Sequence, residues 1–148
     1  MKGSVILKRT ASTTASVGNI TAPASSMRRF RLFFFETGCE DTPNDNAFDL
    51  ILQRCTTTGT RTSVTPQPFD PADAAFATTA GQNHTVEPTY TANAVHYDRA
   101  FNQRATVQWY SPDKEGIIVP ATANNGLGIQ TPTAPALKIT VTAHIDEL

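Results

Sequence analysis

Charge is scarce in this sequence. Asp, Glu, Lys and Arg make up 17% of its 148 residues and nearly cancel, leaving a net charge of −1. That balance offers no broad basic field for a phosphate backbone, so nucleic acid is not an expected partner. Long apolar runs are missing as well. The most apolar stretch, Arg28-Arg29-Phe30-Arg31-Leu32-Phe33-Phe34-Phe35, is broken by arginines and falls well short of the ~18–20 residues of a membrane-spanning helix, so no membrane partner is expected. The opening Met1 to Arg9 has a basic flank but only the short apolar core Val5-Ile6-Leu7, against about 7–15 residues in a signal peptide. It reads as a first strand or arm. Without a leader, the final Asp146-Glu147-Leu148 is a chance echo of a retention signal.

Cysteine is limited to Cys39 and Cys55, which allow at most one bridge. If the polar segment 41–46 closes a hairpin, Cys39 lies opposite about residue 47 and Cys55 opposite about residue 31, which places them roughly 26 Å apart along the ladder. Two reduced, partly buried thiols are expected, in keeping with assembly in a reducing cytoplasm. The pair also lacks the close spacing of a zinc site, and no two of the three histidines, His84, His96 and His144, stand at ligand spacing. None of the histidines has a nucleophile-elbow pattern beside it, so no catalytic residue is named and no enzyme is expected. Asp41, Asn44, Asp45, Asn46 and Asp49 are rich in oxygen but lack the glycine and terminal glutamate of a calcium loop, and read as a turn. Asn124-Asn125-Gly126-Leu127-Gly128 lacks the third glycine of a dinucleotide loop and also reads as a turn. No metal and no cofactor is expected.

The residues that are abundant favour strands. The chain is rich in Thr and Ala, carries ten prolines, and shows little of the Leu, Glu and Lys content of exposed helix faces. Leu137, Ile139, Val141, Ala143 and Ile145 alternate with polar residues at a strict period of two, which predicts a strand with one buried face. Residues 104–109 alternate in the same way and point Trp109 toward the core, and Gly116–Val119 and Gly126–Gln130 read as short strands. Phe30–Phe35 and Phe48–Leu52 are apolar on both faces, and the turn formers between them predict a central hairpin. Weak strands are expected at Thr85–Tyr90 and Ala94–Tyr97. Between residues 56 and 81 periodicity fails, and no regular strand is expected there. Asp70 can cap a short helix with Pro71 at its first position. The fold expected is all-β: an antiparallel β-sandwich or jelly-roll-like barrel over residues 27–148, with one short helix, preceded by an N-terminal strand or arm and linker over residues 1–26.

From about residue 50 onward the sequence resembles small structural proteins of tailed bacteriophages. The residues that carry this are Thr56-Thr57-Thr58-Gly59-Thr60-Arg61 through Asp70-Pro71, Thr85-Val86-Glu87-Pro88-Thr89-Tyr90, Phe101 to Trp109, and Ile118-Val119-Pro120 through Asn125-Gly126. The resemblance implies a virion component, most like a capsid cement or decoration protein. Such a protein sits on the outer surface of the shell, commonly as a trimer, and braces neighbouring major capsid proteins. It brings no catalytic residues. The expected contacts are Val5, Ile6 and Leu7 of the arm, with Phe69, Tyr90 and Tyr97 on the body. Alternatives are a tail, neck or head-fibre protein, or a glycan-binding host-recognition module that uses the tyrosines and Trp109.

Overall fold

The alternation near the C-terminus produces β12 (Ile139–Glu147), in which Ile139, Val141, Ala143 and Ile145 are fully buried. Beside it lies the first strand, β1 (Lys2–Arg9), antiparallel and in unbroken register from Lys2 opposite Asp146 to Arg9 opposite Ile139. In the computed structural model, which describes residues 1–10, 14–25, 28–112 and 115–148, this pair of first and last strands is the outermost of four nested pairs. Inside it β2 (Ser16–Thr21) pairs with β11 (Gly126–Gln130). Next, β3 (Phe30–Cys39) takes β9 (Val107–Tyr110) and β10 (Ile117–Val119) end to end along one edge. Innermost, β4 (Ala47–Cys55) pairs with β8 (Tyr90–Asn102). The segment between β4 and β8 adds β5 (Thr60–Val64), β6 (Gln67–Pro68) and β7 (Thr79–Val86).

The nested pairs alternate between two six-stranded antiparallel sheets. One has the order β10-β3-β12-β1-β6, with β9 also on β3, and the other has the order β5-β7-β2-β11-β4-β8. A long hairpin nested in this way and rolled over itself is a jelly roll, which gives the topology of the expected all-β sandwich. The inner faces meet in one core, built from Val5 and Leu7 (β1), Ile20 (β2), Phe30, Leu32 and Phe35 (β3), Phe48, Leu50 and Leu52 (β4), Leu127 and Ile129 (β11), and the apolar row of β12.

Several expectations are corrected. Residues 1–26 are not an arm joined to a separate body, because β1 lies between β12 and β6 and β2 lies between β7 and β11. Part of the expected linker, residues 11–13 and 26, lies outside the described residues. Phe30–Phe35 and Phe48–Leu52 do not form a hairpin: β3 and β4 belong to different sheets, and the loop between them crosses the sandwich. β3 is apolar on both faces because Phe33 and Phe34 lie on its outer face, opposite the buried Leu32 and Phe35, and β4 because the half-buried Ile51 lies opposite the buried Phe48, Leu50 and Leu52. The register that separated Cys39 from Cys55 therefore does not exist, although both are free thiols, and burial pushes that of Cys55 up to about 11. The short helix after Asp70 is absent. Asp70 does accept the amide of Ala72 at 2.9 Å and that of Asp73 at 3.1 Å, which closes one turn. The chain is then drawn onto the sheet. The Phe76 ring lies so close to Gly3 that a Cβ there would come within 2.5 Å of it, and the Glu147 carboxylate takes the Thr78 amide at 2.6 Å and hydroxyl at 2.8 Å. The proline-rich stretch also contains strands after all, at sheet margins, where proline costs little: β5 is an edge strand, and β6 pairs with β1 over two residues.

The strand alternation that turns Val5 and Leu7 inward does the same to Arg9, which is 1% exposed. Its guanidinium donates to four backbone carbonyls: Leu137 from Nε at 2.9 Å and Nη2 at 2.8 Å, Ala134 from Nη2 at 2.7 Å, and Ala15 and Thr14 from Nη1 at 2.9 and 3.4 Å. These carbonyls lie where the chain leaves β1 for β2 and where it returns from β11 to β12, so one side chain fastens both crossovers of the outermost hairpin. Burial lowers the Arg9 pKa to about 10, which leaves it charged at neutral pH, and nearby Glu87 opposes the shift. The Glu87 carboxylate accepts the amides of Ala15 and Ser16, so the peptide at 15 is held from both sides. Arg9→Ala strands several buried carbonyls and is expected to cost about 3–5 kcal/mol. Arg9→Lys recovers only part of that, because a single ammonium cannot span both crossovers. Urea unfolding midpoints of the two variants measure this, and an Arg9→Ala loss under about 1 kcal/mol would contradict the assignment.

Candidate interaction surface

The two sheets present very different outer faces. Over β2 and β11 the face is covered by the segment between β4 and β8. Asn19 and Thr21 are fully buried there. The Asn19 amide donates to the Thr58 carbonyl at 3.1 Å and its side-chain oxygen accepts from Arg61, which also donates to Thr21 and Thr79 hydroxyls at 3.2 and 3.0 Å. Tyr90 lies flat over Gly128, where a Cβ would come within 2.5 Å of its ring, and its hydroxyl bonds that of Ser16 at 2.6 Å. Gly128 is thus a strand residue that makes room for an aromatic ring, not part of a turn. Desolvation raises the Tyr90 phenol well above its ordinary range.

The outer face of the other sheet is open, and a β-bulge gives it its character. Between β3 and β12 the register slips so that His144 is opposite Phe34 while Ile145 is opposite Leu32. Phe33 is the extra residue, and the bulge turns two consecutive phenylalanines to the same side. Phe34 stacks on His144 at 4.7 Å between ring centroids, Phe33 is tilted against it at 6.0 Å, and Phe69 meets it edge-on at 5.0 Å. The Lys2 ammonium sits 5.5 Å from the Phe33 ring centroid. Three rows cross this face. The central row is Ser4, His144, Phe34 and Tyr110; to one side are Lys2, Asp146, Arg31 and Ile118; to the other are Ile6, Thr142, Glu36 and Gln108. Among the described residues, seven large apolar or aromatic side chains are exposed, and four of them, Ile6, Phe69, Tyr110 and Ile118, are on this face. Such clustering makes this face the candidate interaction surface.

The expected contact residues divide accordingly. Ile6 (51% exposed) and Phe69 (52% exposed) are brought together on the open face. Val5 and Leu7 are core residues at 0% exposure, because alternation on a paired strand sends every second side chain inward. Tyr90 is half-buried beneath the opposite face, and Tyr97 packs edge-on to Phe35 at 5.2 Å at the margin of the core. Trp109 stacks on the same Phe35 at 5.6 Å, so the tyrosines and Trp109 do not converge on a single platform. Phe33, Phe34, Ile118 and His144 were not anticipated, and Tyr110, expected only in the glycan-binding alternative, lies here too. The signal for them was the triple Phe33-Phe34-Phe35, which no strictly alternating strand can accommodate on one buried face.

The loop expected to be a solvated turn joins β3 to β4, with the Asp41 carboxylate on the Lys138 ammonium at 2.7 Å and Asp45 accepting from Asn102 at 2.6 Å. Among the described residues, no three His, Cys, Asp or Glu side chains gather as a metal site. The histidines are separated: His144 lies among the phenylalanines, His96 on β8, and His84 beneath the loop after β4, with Nε2 3.2 Å from the Thr58 carbonyl oxygen. Arg31 is held by Asp146 at 2.7 Å.

No protein-family model matches the chain, and no curated protein matches it. Among solved structures, a chain of a KBV activated particle at acidic pH aligns over 100% of this chain and 69% of its own length, at 10% identity and a TM-score of 0.39. A chain of the Mud Crab Dicistrovirus aligns over 99% and 66%, at 11% identity and a TM-score of 0.22. At these scores the likeness carries no weight for function.

Burial is the main cause that holds the pKa values of His84, His96 and His144 below the ordinary 6.5. An unfolded chain therefore takes up these protons at a higher pH than the folded one. The histidine contribution is whole above about pH 6.5 and is lost as the pH falls through the lower folded values. Glu40 and Asp41 are held low by bonds from Lys8 and Lys138, and act only at more acidic pH. The urea midpoint is expected to fall between about pH 7.5 and 5, and His84→Gln is expected to flatten part of that fall. An unchanged midpoint across this range would contradict the assignment.

Proposed function

We propose that this chain is a structural component of a virus particle and, more specifically, a cement or decoration protein that sits on the outside of a tailed-bacteriophage capsid shell. The observation that carries the reading is the nested strand order. The jelly roll is an architecture of viral capsid and lectin domains, and the sequence resemblance to phage structural proteins selects the first of these. Fold alone does not assign a role, so the surface matters as well. One sheet is covered over β2 and β11 by the insertion and the other presents an open aromatic face, an arrangement suited to adhesion to a neighbouring subunit. A cement protein works through many small contacts repeated over a shell, and each needs only modest area. The partner in this reading is the major capsid protein, reached after synthesis in the host cytoplasm.

A tail, neck or head-fibre position is the second reading, supported by the same resemblance. A glycan-binding module is less favoured, because its candidate aromatics are dispersed: Tyr110 is exposed on the open face, whereas Tyr90 is covered and Tyr97 and Trp109 pack on Phe35. Cryo-electron microscopy of purified particles, with quantitative gel densitometry, separates the first two. Copies numbering in the hundreds across the shell support cement, whereas about a dozen or fewer at one vertex move the assignment to the tail or neck. Absence from the particle overturns the virion reading altogether.

A further inference from the structure

The open face of the β10-β3-β12-β1-β6 sheet has a charge arrangement that fits its own copy. Lys2 and Glu36 lie at diagonally opposite corners of the aromatic patch, two residues before Ser4 on β1 and two residues after Phe34 on β3, with His144 between them. Two ion pairs already border the face, Arg31 with Asp146 at 2.7 Å and Lys8 with Glu40 at 2.8 Å. Lys2 instead contacts the Phe33 ring, and Glu36 accepts a neutral amide bond from Gln108 at 2.9 Å. Neither has an opposite charge within ion-pair distance among the described residues.

We propose that a second copy of this chain covers this face across a two-fold axis, with Lys2 of each copy set against Glu36 of the other. An axis lying in the face and running through His144 along the other diagonal exchanges the Lys2 and Glu36 corners and lays Phe34, Phe69 and Tyr110 of one copy over the aromatic patch of the other. The two sheets then cross near a right angle, one of the two common geometries of sheet-on-sheet packing. Such an interface is isologous, so both ion pairs form at once and the assembly closes at two. The sequence offers a reason to cover the patch: phenylalanines occupy β3 on this outer face, where a solvated antiparallel sheet ordinarily carries polar residues. The sheet face measures roughly 20 Å by 20 Å, about 800 Å² buried over both copies, which is below the standard interface and belongs to the weak, transient class. The inference gives the open face to a second copy, so that in the virion reading a dimer would meet the shell through its remaining surface, and it is tested on the purified chain without particles.

Sedimentation equilibrium of the purified chain from about 1 to 300 μM tests it. The expected result is a monomer–dimer equilibrium. Phe69→Asp and Tyr110→Asp alter exposed side chains, so they should keep the wild-type circular dichroism and unfolding midpoint while remaining monomeric throughout. Lys2→Glu and Glu36→Lys are each expected to weaken the dimer by about tenfold or more, and the double exchange to restore it to within about threefold of wild type. A chain monomeric at all concentrations, a trimer, or a dimer indifferent to Phe69→Asp and Tyr110→Asp would overturn the proposal. Failure of the double exchange to restore association would overturn the Lys2–Glu36 pairing. None of these outcomes depends on whether the protein is found in particles.

Discussion

A guanidinium sealed away from water stands where the outermost hairpin turns from one sheet to the other. Arg9 reaches carbonyls on the outgoing crossover, at Thr14 and Ala15, and on the returning one, at Ala134 and Leu137. A buried charge is tolerable only when its donors are filled, and here backbone carbonyls fill them while Glu87 supplies a nearby opposite charge. The nested architecture depends on both strands of the outer pair bending at the same place. If one crossover shifted, β1 and β12 would fall out of register with β2 and β11, and alternation would carry the apolar rows of Val5, Leu7, Val141 and Ile145 to the outside.

The same rolled ladder explains why the two outer faces differ. The insertion between β4 and β8 leaves from the inner end of the nest and adds β5 and β7 beside β2, so its loop and Arg61 fold over the face carrying Asn19 and Thr21. It reaches the other sheet along its β6 margin and from the inner side, through the two residues of β6, through Phe69 and Phe76, and through the bonds of Ala77 and Thr78 to Glu147. The open face therefore keeps its aromatic cluster exposed, and the bulge at Phe33 enlarges that cluster by one ring. The function proposed for this molecule rests on that surface. The histidines, cysteines and carboxylates are spread among separate structural tasks.

Much of the strand content could be read from the sequence, because alternation is local. β12 matched its periodicity, and Gly126–Gln130 emerged as β11 with the same ends. What could not be read was the pairing of those strands. Phe30–Phe35 and Phe48–Leu52 look like hairpin partners because they are close in sequence and joined by turn residues, yet the jelly roll pairs near with far, β1 with β12 and β2 with β11. Val5-Ile6-Leu7 looked like a sticky arm for the same reason: its partner strand lies at the other end of the chain. At the candidate surface, Ile6 and Phe69 were legible as exposed apolar residues. The phenylalanines that complete the patch were signalled only by the triple Phe33-Phe34-Phe35, and which of the three face outward depends on a bulge that inverts the inside–outside pattern within one residue.

The central claim is that the first strand belongs to the core of a nested ladder. Native-state hydrogen exchange, resolved by residue along β1, tests it most directly. The account predicts that amides of β1 facing β12 exchange as slowly as those of β3 and β12, at the rate set by global unfolding, while amides in the loops of the β4–β8 insertion exchange far faster. Rapid exchange throughout β1, with β3 and β12 still protected, would show that the first strand is a dispensable arm and would contradict the account.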